Sequence, residues 1–214
     1  MICESDAVVL QTRRYGDSSK IAVLFSKEFG KMSVLAKGAY SNKSKFSSGL
    51  EPLSYVHICF YNKPSSDLHL LKSVELVVPF HDISRNYDSL LCGLVSAELV
   101  SVTQSEHFVN TDLFEYLVAM LSEMNARTDF CFSYCVRFMY QLADNLGYYI
   151  DLNELGTLSD VQMWGKIKIV LDGAESMEYS INVNDFIEIA DYMTKFLGKH
   201  LGYRLVLRTM GLVE

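Results

Sequence analysis

Proline is nearly missing from this chain of 214 residues: only Pro52, Pro64 and Pro79 occur, all before position 80. Beyond Pro79 no residue removes a backbone donor or locks φ, so the remainder is free to be helical. Long apolar runs are missing too. No stretch reaches the roughly 18 uncharged hydrophobic residues of a membrane-spanning helix, and the opening Met1-Ile2-Cys3-Glu4-Ser5-Asp6 is acidic where a secretory leader is basic. Cysteine offers no framework, since the five residues at 3, 59, 92, 131 and 135 are odd in number and lack C-x-x-C spacing. Reduced, mostly buried thiols in a cytoplasmic protein are the expectation. Cys131 and Cys135 share a helix face at i, i+4, but no neighbouring histidine or third cysteine completes a zinc site, and a free thiol packs as a small apolar group.

Catalytic signatures are also absent. The chain has no phosphate-cradling glycine loop, no H-E-x-x-H, no G-x-S-x-G and no dinucleotide fingerprint. Its five histidines, at 57, 69, 81, 107 and 200, include no pair at metal-ligand spacing. Carboxylates crowd residues 81–160 without a paired motif, so Asp82, Asp88, Glu98 and Glu106 read as solvated helix faces. The expectation is a protein that is not an enzyme and needs no cofactor or metal; a hydrolase with a dispersed site is the least supported reading.

What is present is half hydrophobic, 12% aromatic and 21% charged, the balance of a packed globular protein. From Ala7 to Leu76 apolar residues recur at period two, and five strands are predicted: Ala7–Arg13, Lys20–Ser26, Lys31–Ala36, Leu53–Tyr61 and Leu68–Leu76. Phe29-Gly30 turns the second into the third. Five strands in about 70 residues suggest a small closed barrel. Past Pro79 the period becomes helical. One stripe runs through Ile83, Leu91, Val95 and Val102; a second helix is capped at Thr111; a third spans Asp129 to Leu146 and stops at Gly147. A last helix opens at Asn184 with Asp185 and ends at Gly202, while residues 166–183 read as a short β-hairpin. The fold class is α+β: a five-stranded barrel, then a helical domain with a hairpin insertion, packed directly on one another without a linker.

Net charge is −7, but its distribution is uneven. Residues 1–80 hold ten Lys or Arg against seven Asp or Glu, whereas residues 81–160 hold three against twelve. The cations concentrate in residues 12–45: Arg13, Arg14, Lys20, Lys27, Lys31, Lys37, Lys43 and Lys45 against Asp17 and Glu28. A polyanion, if bound, is bound there. Between the third and fourth strands, residues 37–49 form a polar loop, read as long and mobile, in which Tyr40 and Phe46 interleave with the lysines. Cations that follow phosphates and rings that stack on bases are the mixture single-stranded nucleic acid requires. If about six cations neutralise phosphates, log affinity falls with log salt with a slope near about −4.

The order and spacing of several short motifs resemble those of the bacterial RecO family of recombination mediators. The resemblance is carried by Val8-Val9-Leu10, Arg13, Tyr15-Gly16-Asp17-Ser18, Leu24-Phe25-Ser26 and Gly30. It is sharpest at Val34-Leu35-Ala36-Lys37-Gly38-Ala39, followed by Ser44 and Leu50-Glu51-Pro52-Leu53. Ala97-Glu98-Leu99, Leu113-Phe114, Arg137-Phe138, Leu146-Gly147-Tyr148, His200-Leu201-Gly202 and Arg208 extend it over nearly the whole chain. It implies an OB-fold nucleic-acid-binding domain over residues 1–79 and a helical domain over 80–214. It also implies a non-enzymatic protein that binds single- and double-stranded DNA and anneals complementary strands. Such proteins contact the C-terminal tail of single-stranded DNA-binding protein, act with RecR to help load RecA, and sit in the cytoplasm at the nucleoid.

Carried onto matching positions, the resemblance places Arg13, Lys37 and Ser44 at the DNA-binding face. The charge and loop pattern adds Arg14, Lys20, Tyr40, Lys43, Lys45 and Phe46. Arg137, one of three cations in the acidic stretch, is the candidate clamp for the acidic tail, its alternative being an internal ion pair. Two departures stand out. Relatives with a four-cysteine zinc module have it near residues 150–180 here, but no cysteine follows Cys135, so 151–183 reads as a reduced remnant without zinc. The C-terminal Arg204-Leu205-Val206-Leu207-Arg208-Thr209 is also less basic than the family pattern. The competing reading is an OB-fold protein–protein adaptor with incidental nucleic-acid contact.

Overall fold

A computed structural model describes residues 1–41, 44, 46, 49–63, 66–126, 132–150, 165, 167, 168, 171 and 181–212. Five strands, β1 (Ile2–Tyr15), β2 (Ser19–Ser26), β3 (Gly30–Ala36), β4 (Tyr55–Tyr61) and β5 (Leu68–Val78), close a barrel in the order β1-β2-β3-β5-β4. All neighbours are antiparallel except β3 and β5, which pair in parallel through Ser33–Leu35 and Leu68–Leu70. This is the OB arrangement that the sequence leads one to expect.

β1 begins five residues earlier than its apolar alternation indicates. Its polar start is stabilised across the ladder to β4, where Asp6 sits opposite His57. The Asp6 carboxylate accepts from the Tyr55 hydroxyl at 3.1 Å and lies 2.8 Å from His57 Nδ1. Inside the barrel Ala7, Val9, Ala22, Leu24, Met32, Val34, Val56, Ile58 and Phe60 form one core, and Phe46 and Leu50 from the β3–β4 loop join it. The middle of β1, Ala7 to Leu10, and most of β2 are buried on both sides. Val8, Leu10 and Phe25 face outward into a second core shared with the helices, so the period-two pattern there has no solvent face.

Four helices can be delimited among the described residues: α1 (Tyr87–Thr103), α2 (Thr111–Ala126), α3 (Ser133–Asn145) and α4 (Val183–Leu201). A 3₁₀ turn at Ile83–Arg85 precedes α1, whose first turn is capped by Asn86 accepting from Ser89 N. Asn110, not Thr111, caps α2 through Leu113 N at 3.2 Å. α3 is followed by Gly147 with φ +82°. A capping box of Asn182 and Asp185 starts α4, two residues before the expected Asn184, and Gly202 at φ +78° ends it. The expected hairpin over 166–183 lies mostly outside the described residues. Ile167, Lys168 and Leu171, within its first half, are helical rather than extended. Cys135, like Cys3, Cys59 and Cys92, is buried, and its Sγ lies 3.2 Å from Ser96 Oγ. Cys131 lies outside the described residues.

The helical part clasps the β2–β3 end of the barrel. Phe25 meets Phe114 at a ring separation of 6.0 Å, a contact in which each buried ring contributes about 1.5–3 kcal/mol. Lys27 pairs with Glu115 at 3.0 Å, and that hydrogen bond and charge raise the lysine pKa. Lys31 Nζ donates to Ser101 O at 2.9 Å and lies 3.5 Å from Glu106, while His107 N donates back to Lys31 O at 2.9 Å.

His69 is built into the same junction, 4% exposed and 5.5 Å from the rings of both Phe60 and His107. Its Nδ1 accepts from Lys63 N at 3.2 Å, which makes the ring neutral with its proton on Nε2. Burial lowers its pKa, the charge of His107 lowers it further, and Asp67 opposes both. The unfolded chain therefore binds a proton that the folded chain resists. Stability is intact above the unfolded pKa of about 6.5 and declines as pH falls from there toward the lower folded value. The urea midpoint is expected to drop between pH 7.5 and 5.5, and His69→Gln to flatten the drop. An undiminished drop in the variant would assign the acid sensitivity elsewhere.

Candidate nucleic-acid interface

The end of the barrel opposite that junction is formed by the β1–β2 hairpin and the chain leaving β3. β1 pairs with β4 only as far as Val8, yet with β2 as far as Tyr15, so residues 10–15 run on past the β4 ladder along β2, which is itself paired to β3 from Lys20 onward. β2 has eight residues, placing this rim about 23 Å from the contacts of Lys27 with the helical domain.

Arg13, Arg14, Tyr15, Lys37 and Tyr40 are all exposed on this rim, the two rings at 50% each. The Arg14 guanidinium donates to Asp17 O at 2.8 Å and Gly16 O at 3.3 Å, so the turn itself fixes its direction. Tyr40 is held to the same turn by its N–H, which donates to Ser18 O at 2.9 Å. Among the described residues none of Arg13, Arg14 and Lys37 forms an ion pair. They do not all share one face. Arg14 is the ladder partner of Lys20, on the side continuing the barrel interior, whereas Arg13 and Tyr15 alternate to the outside.

Several expected site residues stand elsewhere. Lys20 is 8% exposed, with Nζ 2.9 Å from Glu51 and 3.1 Å from Leu50 O, so it has no free charge to offer a phosphate. Phe46 is 5% exposed in the barrel core and presents no ring for stacking. Ser44 is half-buried, its hydroxyl accepting from Phe46 N at 3.1 Å. Lys43 and Lys45 lie outside the described residues. Of the other cations in residues 12–45, Lys27 and Lys31 hold the helical domain. The structure adds exposed Tyr15 to the candidates; its signal in the sequence is an aromatic beside the turn Gly16-Asp17, in alternation with Arg13.

Arg137 occupies a different surface. It is half-buried on α3 and lines a groove of about 490 Å³ with Tyr116, Tyr140, Asp144, Tyr148 and Lys168. A smaller adjoining recess of about 170 Å³ is lined by Met120, Glu123 and Tyr134 as well as Tyr116 and Arg137. Burial raises the pKa of Tyr116 while the Arg137 charge opposes it, and burial raises that of Tyr140, whose enclosed hydroxyl has no hydrogen-bond partner among the described residues. Among the described residues no cluster of three metal-ligating side chains occurs, and no helix is long and apolar enough to cross a membrane.

Barrel topology, β1–β2 hairpin and appended helices define an OB-barrel protein with a helical companion domain. Family descriptions sharpen this: residues 1–80 match Recombination protein O N terminal, and residues 84–155 match Recombination protein O C terminal. The chain belongs to the RecO family. It is 36% identical over 124 residues to the DNA repair protein RecO of Salinibacter ruber, covering 58% of this chain and 48% of that protein. With the same-named protein of Chloroherpeton thalassium it shares 30% over 154 residues, 72% and 60% of the two chains. With that of Bacillus subtilis it shares 30% over 129 residues, 60% and 50%. The aligned part thus spans about half to three fifths of these relatives.

Proposed function

We propose that this protein acts in DNA repair as a non-enzymatic recombination mediator in the cytoplasm. On this reading it binds DNA at the hairpin rim, anneals complementary single strands and, with RecR, assists RecA loading on DNA coated by single-stranded DNA-binding protein. The relatives' name, DNA repair protein, supports the setting. The observation that carries the binding site is the group of exposed, unpaired Arg13, Arg14 and Lys37 flanking Tyr15 and Tyr40.

Annealing makes no covalent bond; it needs relief of phosphate repulsion while bases pair. Cations at the rim supply that relief, and rings beside them hold bases unstacked from their own strand. The helical domain, with three cations against twelve carboxylates over residues 81–160, repels the same strand and confines it to the barrel. It suits a protein partner instead. The Arg137 groove pairs a guanidinium with tyrosine walls, which fits an acidic peptide ending in a carboxylate, such as the tail of single-stranded DNA-binding protein.

The test is annealing of complementary oligonucleotides, bare or precoated with that protein. Wild type is expected to anneal both, and Arg137→Ala to anneal bare strands normally while losing at least about tenfold in rate on coated ones, the loss of one charged contact. Failure on bare DNA would remove the annealing reading and favour an adaptor that binds proteins alone. Equal rates for Arg137→Ala on coated strands would clear Arg137 of tail binding.

A further inference from the structure

Lys20 continues the inward-facing column of Ala22 and Leu24 but places a charge at the barrel mouth. Its Nζ makes three contacts that converge on the β3–β4 loop: 2.9 Å to Glu51, 3.1 Å to the Leu50 carbonyl, and 5.4 Å to the centroid of the Tyr40 ring. The first two fall where the loop returns to the barrel and the third near where it leaves. The guanidinium of Arg14, the ladder partner of Lys20 on β1, lies 5.5 Å from the same ring. Two cations thus hold one half-exposed tyrosine, and the attraction of each for the ring face opposes its rotation. Arg14 remains exposed, whereas Lys20 is sealed beneath the loop.

We infer that Lys20 is a positioning residue: it touches no DNA, and it holds Tyr40 as a preoriented platform on which a base of single-stranded DNA stacks across the barrel mouth. This rests on the nucleic-acid reading of the rim and adds to it a division of labour. Arg13, Arg14 and Lys37 meet phosphates and contribute to salt dependence. Lys20, already neutralised by Glu51, releases no counterions from the strand and contributes to affinity alone. A ring fixed before binding loses less freedom when a base arrives, which is how a buried side chain strengthens a contact it does not make.

The experiment measures binding of a fluorescent oligothymidine to the full chain over a range of salt for wild type, Lys20→Met, Tyr40→Ala, the double variant and Arg14→Ala. Methionine keeps the unbranched stem and removes the charge. Glu51→Gln, which keeps the lysine, serves as a second route if Lys20→Met unfolds. Lys20→Met and Tyr40→Ala are each expected to weaken binding by about tenfold, the range of one lost stack, with unchanged salt slope. The double variant is expected to be no weaker than Tyr40→Ala alone, since Lys20 acts through the ring. Glu51→Gln should show a smaller loss in the same direction, and Arg14→Ala a slope shallower by about 0.7. Independent, additive losses, a shallower slope for Lys20→Met, or unchanged affinity for Lys20→Met or Tyr40→Ala would overturn the inference. If Arg14→Ala also left affinity and slope unchanged, the rim itself would be ruled out as the binding site.

Discussion

Replacing Gly30 by alanine is expected to destabilise the protein by roughly 3–5 kcal/mol, a third or more of a typical domain's margin. Gly30 opens β3 at φ +66°, where an added Cβ costs about 1–2 kcal/mol by itself. The larger part comes from what the Cβ would meet. It would stand 2.5 Å from the Phe108 carbonyl carbon, 3.0 Å from Phe108 N, and closer still to the carbonyl oxygen. These are backbone atoms, so no rotamer change relieves the overlap; the α1–α2 loop must move away. That movement strains the bond from His107 N to Lys31 O and the contacts of Lys31 with Ser101 O and Glu106. A hydrogen bond to a charged group is worth about 1.5–3 kcal/mol. Gly16→Ala is the control: φ is +59° there, but nothing lies within 4 Å of the added Cβ, so only the backbone cost remains. Guanidinium unfolding of the two variants separates the contributions. Equal losses would mean that the junction tolerates displacement of the loop.

The strands were legible in the sequence where alternation is clean. β2, β3 and β4 fall within two residues of their expected limits because Ala22 and Leu24, Met32 and Val34, and Val56 and Ile58 each point into one core. The start of β1 was hidden, since Asp6 becomes a good strand residue only when the ladder brings Tyr55 and His57 to it from about fifty positions away. Capping residues gave helix ends to within a residue or two, for the reason that a cap is a local interaction. The candidate site was half legible. Local composition correctly locates exposed charge at Arg13, Arg14 and Lys37, but says nothing about what a distant segment brings. Lys20, Lys27 and Lys31 are held by groups 31, 88 and 70 residues away, respectively. Phe46 illustrates the same limit: inside a polar loop no period distinguishes a ring that stacks on a ligand from one that fills the end of a barrel.

Changing Arg13, Arg14 and Lys37 together to alanine is expected to lower affinity for single-stranded DNA about a hundredfold at 0.1 M salt and to leave folding intact. The expectation follows from which cations remain available. Lys20, Lys27 and Lys31 are tied to the protein's own groups, which leaves Arg13, Arg14 and Lys37 among the described cations of residues 12–45; the sequence adds Lys43 and Lys45, outside the described residues, for five of eight. At about 0.7 per phosphate, the slope of log affinity against log salt becomes about −3.5 rather than −4, and about −1.4 in the triple variant. Each lost contact removes about a factor of five at 0.1 M, and the difference between the proteins shrinks toward zero as salt approaches 1 M. Arg13 carries separate information. Because it leaves β1 on the side opposite Arg14, Arg13→Ala alone changes the slope only if the strand wraps the hairpin tip instead of crossing the barrel mouth. All three side chains are exposed, so the unfolding free energy should move by no more than about 0.5 kcal/mol, and a loss of affinity cannot be ascribed to lost fold. A triple variant that binds as tightly as wild type with an unaltered slope would place the phosphate contacts on another surface and leave the β1–β2 hairpin without the role its charges suggest.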